Sequence, residues 1–166
     1  MQVPKRKPGK YTHHQIDPYL TREKLQSYKD ELERLKIKKQ PYAISEVKRL
    51  AEMGDFSENA AYQIAKGRLR GINERIDQLE EAVKRAVIID TNDSSGSVRI
   101  GHRVTVAIGG EQKIFQILGS AESDPQQGII SFTSPIGAAL IGKRIGEIFT
   151  VKLGNKEQRC EVLKIE

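Results

Sequence analysis

Residues 53–63, MGDFSENAAYQ, separate two long runs of helix-forming sequence and decide the fold of the first half of the chain. The run before them, residues 21–53, is rich in Lys, Glu, Leu and Arg, and Thr21 is a suitable helix N-cap. The run after them, residues 60–85, has a similar composition. Two amphipathic helices of similar length that are joined by a short turn bury their apolar faces against each other. The sequence therefore predicts an antiparallel helical hairpin with residues 54–59 at its tip.

Apolar residues in both runs repeat with alternating spacings of three and four, which is the heptad pattern of a coiled-coil seam. Pro41 interrupts the first seam, and because it lacks an amide proton it predicts a kink near Lys38. Beyond the kink we expect an apolar stripe in shifted phase, made of Ile44, Val47 and Ala51. The two seams consist of Leu25, Tyr28, Leu32 and Leu35 in the first run and of Leu69, Ile72, Ile76, Leu79 and Val83 in the second.

After the second run the apolar periodicity falls towards two, the period of a β-strand. Turn residues separate six short segments, which read AVIID, RVTVAI, KIFQIL, GIISF, EIFTVKL and QRCEVLKI. One helix interrupts them in residues 134–143, SPIGAALIGK, with Ser134 as N-cap, Pro135 at the first helical position and Gly142 at the exit. Residues 87–166 are therefore predicted to form a small, mostly antiparallel sheet with one packed helix. Together with the hairpin of residues 20–86 this makes an α+β fold.

Composition and charge limit the function of this 166-residue chain. Its single cysteine, Cys160, excludes an internal disulfide framework and a multi-cysteine zinc site. The sequence shows no signal peptide and no apolar run long enough to span a bilayer, so we expect a cytoplasmic protein.

The net charge of +6 is concentrated in the first half of the chain. Residues 1–19 combine Pro, Gly and Lys with a charge of +3, and they are predicted to form a flexible basic arm. Residues 20–85 carry another +3, whereas residues 86–166 are neutral. A polyanionic partner is therefore expected to meet the first half, although solvated helix faces explain the same charge equally well.

The second half shows no catalytic constellation in its sequence. His102 has no evident nucleophile to serve, and Cys160 alternates within a strand, where a buried, inert thiol is expected. The hairpin tip is therefore the candidate functional site.

Two acids at the tip, Asp55 and Glu58, suit two roles. Their spacing fits a capping box, in which Asp55 is the N-cap of the second helix and Glu58 returns to its backbone amide. Both acids also favour the positive end of that helix. The other role is cation binding by the paired carboxylates. From the residues alone both roles remain open.

The tip sequence GDFSENAAY, residues 54–62, resembles the GD-x-x-ENAEY signature of the bacterial Gre transcript-cleavage factors, the GreA/GreB family. The likeness extends over residues 49–76 at the hairpin and includes Pro41, thirteen residues before Gly54. It continues near the end of the chain in SPIGAALIGK followed by GEIFTVKL. Two separated motifs in the right order make the resemblance specific, and it covers residues 20–166.

The resemblance implies an accessory factor of bacterial RNA polymerase rather than an enzyme in its own right. Its C-terminal domain, similar in fold to FKBP-type isomerases, is expected to dock at the rim of the polymerase secondary channel while the coiled coil enters the channel. The tip acids then help to hold a Mg²⁺ ion that is shared with the polymerase, so that the polymerase cleaves the 3′ end of backtracked RNA. No ion is expected on the isolated protein, which is expected to be a monomer.

Carried over residue by residue, the resemblance makes Asp55 and Glu58 the metal-binding and catalytic acids. The family's third acid, in ENAEY, is Ala61 in this chain, which puts full cleavage activity in doubt. A Gre-like regulator that binds the channel and inhibits polymerase is therefore the alternative. Support of the tip turn is assigned to Gly54, Asn59 and Tyr62.

Three basic residues after the tip correspond to a patch that in the family is thought to hold the extruded RNA end. They are Lys66, Arg68 and Arg70. Ion pairing with neighbours such as Glu52 or Glu74 is the other explanation of these side chains. The sequence has no base-reading motif, so sequence-specific nucleic-acid binding is not expected.

Two further matters stay open at this point. The basic arm suits RNA, DNA or the polymerase surface as a partner, and a solubilising role explains it as well. The FKBP-like half suggests a third function, a stand-alone prolyl isomerase. Only Phe115, Phe132 and Phe149 offer aromatic surface in residues 86–166, which disfavours a proline pocket.

Overall fold

The first half of the computed structural model is the predicted helical hairpin. The structure describes residues 17–53, 60–90, 96–154 and 156–166. Helix α1 (Arg22–Arg34) runs into a π-helical turn (Leu35–Lys39) and then into α2 (Gln40–Glu52), and this arm packs against α3 (Ala60–Arg85). Ion pairs between the two arms, Lys36–Glu80 near the middle and Arg68–Glu46 closer to the tip, show that they are antiparallel.

The apolar seam between the arms lies where the heptads place it. Leu35, Ile76 and Leu79 are buried in one cluster, against which Tyr28, Leu32 and Ile72 pack. Thr21 caps α1 as predicted, because its side chain accepts a hydrogen bond from the Lys24 N–H at 3.2 Å. The heptad prediction is thus confirmed for α1 and α3.

The π-helical turn changes the phase of the seam in α2. The N–H of Gln40 donates to the carbonyl of Leu35, five residues back, so the turn contains one residue more than an α-helix would. The seam therefore continues through Ala43 and Leu50, which are buried, with Val47 half-buried between them. The prediction that Ile44 joins the stripe is wrong: its side chain is 50% exposed.

The mostly antiparallel sheet with one packed α-helix is confirmed in the described part of the second half, but the sheet has five strands rather than the six predicted segments. Its strands are β3 (Arg103–Ile108), β4 (Glu111–Leu118), β5 (Ile129–Ser131), β6 (Ile148–Leu153) and β7 (Lys156–Ile165), in the order β5-β4-β3-β7-β6. All neighbours are antiparallel except β4 and β5, which are parallel. Helix α4 (Pro135–Leu140) begins at Ser134, whose hydroxyl accepts from the Gly137 N–H at 3.1 Å.

The core of this domain lies between the sheet and α4. It is built from the inward-facing side chains of the strands together with Leu140 of the helix. Cys160 is buried in it, and burial raises the pKa of the thiol, in agreement with the predicted inert role. His102 is buried as well; its Nδ1 accepts from the Arg99 N–H at 3.3 Å, which gives it a structural place at the start of β3.

The junction between the two halves comprises residues 17–21, 87–88 and 119–122, and it contains a small two-stranded parallel sheet at the base of the hairpin. Strand β1 (Tyr19–Leu20) pairs with β2 (Val87–Ile88), so the segment that leads into α1 lies beside the segment that leaves α3. Strand β2 belongs to this junction rather than to the five-stranded sheet. Asp17 and Tyr19, which the sequence assigns to the basic arm, form part of the same junction; residues 1–16 lie outside the described residues.

Candidate functional site

The hairpin tip connects Met53, just after α2, to Ala60 at the start of α3. Asp55 and Glu58, the predicted metal-binding acids, lie outside the described residues, as do Gly54 and Asn59. The described helix ends nevertheless fix where this segment begins and ends. The helix ends on either side of it, Met53 and Ala60, lie at the end of the hairpin opposite the β1–β2 pair.

The helices that carry the tip are held together by small and aliphatic side chains. Ala43 and Leu50 of α2 and Ala65 of α3 are buried, and Tyr62 is half-buried one helical turn closer to the tip. Alanines in a seam allow two helix backbones to approach closely. Tyr62, predicted to support the tip, therefore stands at the position where the seam reaches the tip segment.

Lys66 presents an exposed ammonium group close to the tip. Its Nζ lies 6.0 Å from the centroid of the Tyr62 ring, at the outer limit of a cation–π contact. Within the described ranges Lys66 has no carboxylate within ion-pair distance. Its charge is therefore not neutralised by a described partner.

The other two predicted RNA contacts do pair with acids. Arg68 Nη1 lies 3.2 Å from Glu46 Oε2 across the hairpin, and Arg70 Nε lies 3.8 Å from Glu74 Oε1 one turn along the same helix. Exposed pairs of this kind contribute only about 0–1 kcal/mol, so a phosphate can compete for either guanidinium. Both arginines are thus ion-paired; Glu74 is one of the neighbours that the sequence suggested, whereas Glu46 is not.

The helix ends next to the tip form a basic collar, which we define as Lys48, Arg49, Lys66, Arg68 and Arg70. All five side chains are exposed, and residues 46–53 and 60–70 contain only two acids, Glu46 and Glu52. Asp55 and Glu58, which follow α2 in the sequence, lie outside the described residues, so the described part of this site is the collar of positive charge. A cluster of exposed positive charge attracts a polyanion such as a phosphate chain.

The described residues of the sheet domain offer no comparable cluster of charged side chains. Across the described ranges no group of three or more His, Cys, Asp or Glu side chains is close enough to hold a metal ion. An open groove beside the β3–β4 turn is lined by Ala107, Gly109, Gly110, Arg159, Cys160 and Glu161, none of them aromatic. The three phenylalanines of this domain pack in or against its core instead, which argues against a proline-binding pocket. None of the described helices is long and apolar enough to cross a membrane.

One set of polar residues, at the junction, is not indicated by any pattern in the sequence. Glu122 accepts two hydrogen bonds from Thr21, and Asp17 accepts from Ser120. Thr21 is recognisable as an N-cap, but its partner lies 101 residues further along the chain. No local pattern connects positions so far apart.

Comparison with known proteins finds relatives along nearly the whole chain. Two family models match it, "Transcription elongation factor, N-terminal" over residues 18–88 and "Transcription elongation factor, GreA/GreB, C-term" over residues 93–166. The transcription elongation factor GreA of Macrococcus caseolyticus is 38% identical over 149 residues, which cover 88% of this chain and 94% of that protein. GreA of Lactococcus lactis subsp. cremoris is 38% identical over 150 residues, with coverage of 89% and 96%.

Among solved structures, GreA factor homolog 1 (Gfh1) of Thermus thermophilus is similar to this chain. It is 28% identical, the match covers 90% of this chain and 99% of that one, and the TM-score is 0.42.

Proposed function

This chain belongs to the GreA/GreB family of transcription elongation factors, and from that membership we propose that it binds bacterial RNA polymerase and stimulates the polymerase's own cleavage of backtracked RNA. The sheet domain docks at the rim of the secondary channel, and the helical hairpin enters the channel. The tip then reaches the polymerase active site. The protein itself is an accessory factor, because the bond is cleaved in a site that it only completes.

The observation that carries this proposal is the position of the GDFSENAAY motif on the hairpin. The motif connects α2 to α3, and α3 is 26 residues long. At 1.5 Å per residue this helix places the tip about 39 Å from the junction with the sheet domain. A pair of acids at the end of a rod of this length suits delivery into a deep channel. Capping of a surface helix alone would need no such rod.

The tip acids suit a shared Mg²⁺ ion by their chemistry. Mg²⁺ prefers oxygen ligands, keeps several waters, and commonly takes only one or two carboxylates from one protein. Asp55 and Glu58 supply two carboxylates, and the basic collar offsets their charge so that an anionic RNA strand can approach. When bound between the two proteins, the ion supplies an activated water for phosphodiester hydrolysis. Residues of this chain orient that water and hold the RNA end, with Lys66 as the main phosphate contact.

One observation favours the inhibitory alternative. Ala61, in the first turn of α3, is exposed and stands where the family signature has an acid. A factor that lacks a contributing acid can occupy the channel without accelerating cleavage. The two functions share the docking geometry and differ only in what the tip does.

A cleavage assay on stalled, backtracked elongation complexes tests the proposal. With Mg²⁺ and purified protein we expect short 3′ RNA fragments to be released faster than from polymerase alone. Polymerase binding is measured in the same samples by co-elution. Binding without faster cleavage, together with slowed elongation, would establish the inhibitor; absence of binding would refute both functions.

A further inference from the structure

Glu122 ties the sheet domain to the first turn of the hairpin. One of its carboxylate oxygens accepts from the Thr21 N–H at 2.7 Å, and the other accepts from the Thr21 hydroxyl at 2.6 Å. Thr21 is also the N-cap of α1, since its Oγ1 accepts from the Lys24 N–H. The carboxylate therefore lies at the positive end of α1, where charge and hydrogen bonding act together.

A second acid closes the same junction from the other side. Asp17, on the segment before α1, accepts from the Ser120 N–H at 2.8 Å and from the Ser120 hydroxyl. The two acids thus cross: the acid of the hairpin segment binds the sheet domain, and the acid of the sheet domain binds the hairpin. Four hydrogen bonds to carboxylates join segments that lie about 100 residues apart in the chain.

Close packing leaves little freedom around these bonds. A Cβ placed on Gly119 would overlap the carbonyl oxygen of Tyr19, so the two backbones touch at this point. The Tyr19 ring packs edge-on against Phe132, with the centroids 5.4 Å apart. Directional bonds beside a tight backbone contact hold one orientation better than a flexible linker does.

We propose that Glu122 and Asp17 are positioning residues, which fix the direction of the hairpin relative to the sheet domain and thereby set the concentration at which the factor engages polymerase. This inference rests on the proposed function, in which one domain docks while the other must enter a channel. A hairpin held in the entering direction binds without a search among orientations. Free rotation at the junction lowers the fraction of molecules that are ready to bind.

The orientation itself is measured first, on the isolated full-length protein. Amide residual dipolar couplings report the alignment of each domain in solution. For the wild type we expect one alignment tensor to fit both the hairpin and the sheet domain. In the Asp17→Ala/Glu122→Ala double variant we expect the two domains to need tensors of different magnitude. A single shared tensor in the double variant would overturn the proposal, whatever the protein does to polymerase.

The functional consequence is measured by titrating the factor in the cleavage assay. If the competent orientation falls to about a fifth of the population, the half-saturating concentration rises about fivefold, while the maximal cleavage rate is unchanged. Glu122→Gln, which retains one acceptor oxygen, is expected to lie between Glu122→Ala and the wild type. Glu111→Gln is the matched control, because it removes one exposed acid from the same domain away from the junction.

Thermal melting of each variant distinguishes a loss of domain orientation from a loss of folding. Each variant is melted beforehand, and a variant that is partly unfolded at the assay temperature is replaced by Ser120→Ala, which removes only the hydroxyl that donates to Asp17. Unchanged half-saturation in fully folded variants would refute the functional part of the proposal. If wild-type protein stimulates no cleavage, the proposed function fails, and the dipolar couplings still decide whether these acids orient the hairpin.

Discussion

Arg75 donates hydrogen bonds from Nε and Nη2 to the two carboxylate oxygens of Glu31, each at 2.9 Å, across the two arms of the hairpin. The guanidinium also lies 5.9 Å from the centroid of the Tyr28 ring. The hydrogen bonds from Arg75 hold the pKa of Glu31 below its ordinary range, and the same bonds raise the pKa of Arg75. A bidentate pair of this kind, the Arg75 fork, fixes the register of the two arms more firmly than a single hydrogen bond between flexible side chains.

Glu31→Gln is expected to lower the free energy of unfolding at pH 7. The pair is partly exposed, so we expect a loss of about 0.5–1 kcal/mol, measured by urea unfolding followed by circular dichroism at 222 nm. The effect depends on pH. Because the folded-state pKa of Glu31 is depressed, its contribution is present above the unfolded pKa of about 4.3 and is lost as the pH falls through the folded value. The difference between variant and wild type should therefore shrink below pH 4.

Glu33→Gln is the control for this prediction, since Glu33 is an exposed acid on the same helix. It is expected to change stability by less than about 0.5 kcal/mol at every pH. An equal loss in both variants would show that general charge, rather than the Arg75 fork, supports the hairpin.

The heptad seam illustrates how far a sequence specifies a rod. Leu35, Ile76 and Leu79 are found where the spacing places them, because side-chain period and burial follow from helix geometry alone. Ile44 does not lie in the predicted seam, because the π-helical turn rotates every later residue about the helix axis. Pro41 signals that a change occurs near Lys38, but the proline alone does not distinguish a kink from a turn with one extra residue. The burial of Ala43 and Leu50, which only the structure reveals, indicates the turn with one extra residue.

Deletion of Lys38 tests whether Pro41 requires the π-helical turn. Deletion keeps Ala43 and Leu50 in the seam, because it removes the one extra residue, but it places the proline inside a regular α-helix. We expect the deletion to cost about 3 kcal/mol in the free energy of unfolding. Adding Pro41→Ala to the deletion should recover most of that loss. If the deletion alone is neutral in urea unfolding, the turn does not exist to accommodate the proline.

The location of the candidate site is predictable from the sequence, whereas the contacts of its side chains are only partly so. The motif at residues 54–62 locates the tip, because it stands between two recognisable helices. The ion pairs of Arg68 and Arg70 are only partly predictable from the sequence: the Arg70–Glu74 pair follows from spacing along one helix, whereas Glu46 contacts Arg68 from the other arm. Contacts between elements depend on register, which the sequence alone leaves open.

Lys66→Ala is expected to weaken the hold on the extruded RNA end more than Arg70→Ala does. Lys66 has only Tyr62 as its nearby partner among the described residues, whereas Arg70 is paired with Glu74. Removing one phosphate contact should reduce the salt dependence of RNA binding by about one unit of slope. Crosslinking of a photoreactive 3′ nucleotide to the factor, over a series of salt concentrations, measures this. Lys84→Ala, at the far end of the same helix, is the control, and an equal effect there would remove Lys66 from the site.

Asp55→Asn and Glu58→Gln separate metal binding from helix capping. Asn caps a helix about as well as Asp, so Asp55→Asn leaves a capping role nearly intact while removing the charge that an ion needs. We expect each variant to lower the maximal cleavage rate by about 10- to 100-fold or more, with unchanged polymerase binding. Glu52→Gln, an exposed acid at the end of α2, is the control. Cleavage at the wild-type rate by either variant would mean that the acids only cap the helix.

Ala61→Glu tests whether the missing third acid limits the factor. Ala60 and Ala61 are both exposed in the first turn of α3, and they point in directions about 100° apart around the helix axis. An acid at either position should stabilise the helix by about 0.3–1 kcal/mol through its dipole, so thermal melting cannot distinguish them. If position 61 contributes to the polymerase site, only Ala61→Glu raises the maximal cleavage rate, by roughly two- to tenfold, which is about 0.4–1.4 kcal/mol of barrier. Ala60→Glu is the matched control. Equal gains from both variants would indicate a general effect of charge near the tip, and no gain from either would show that Ala61 does not restrict cleavage.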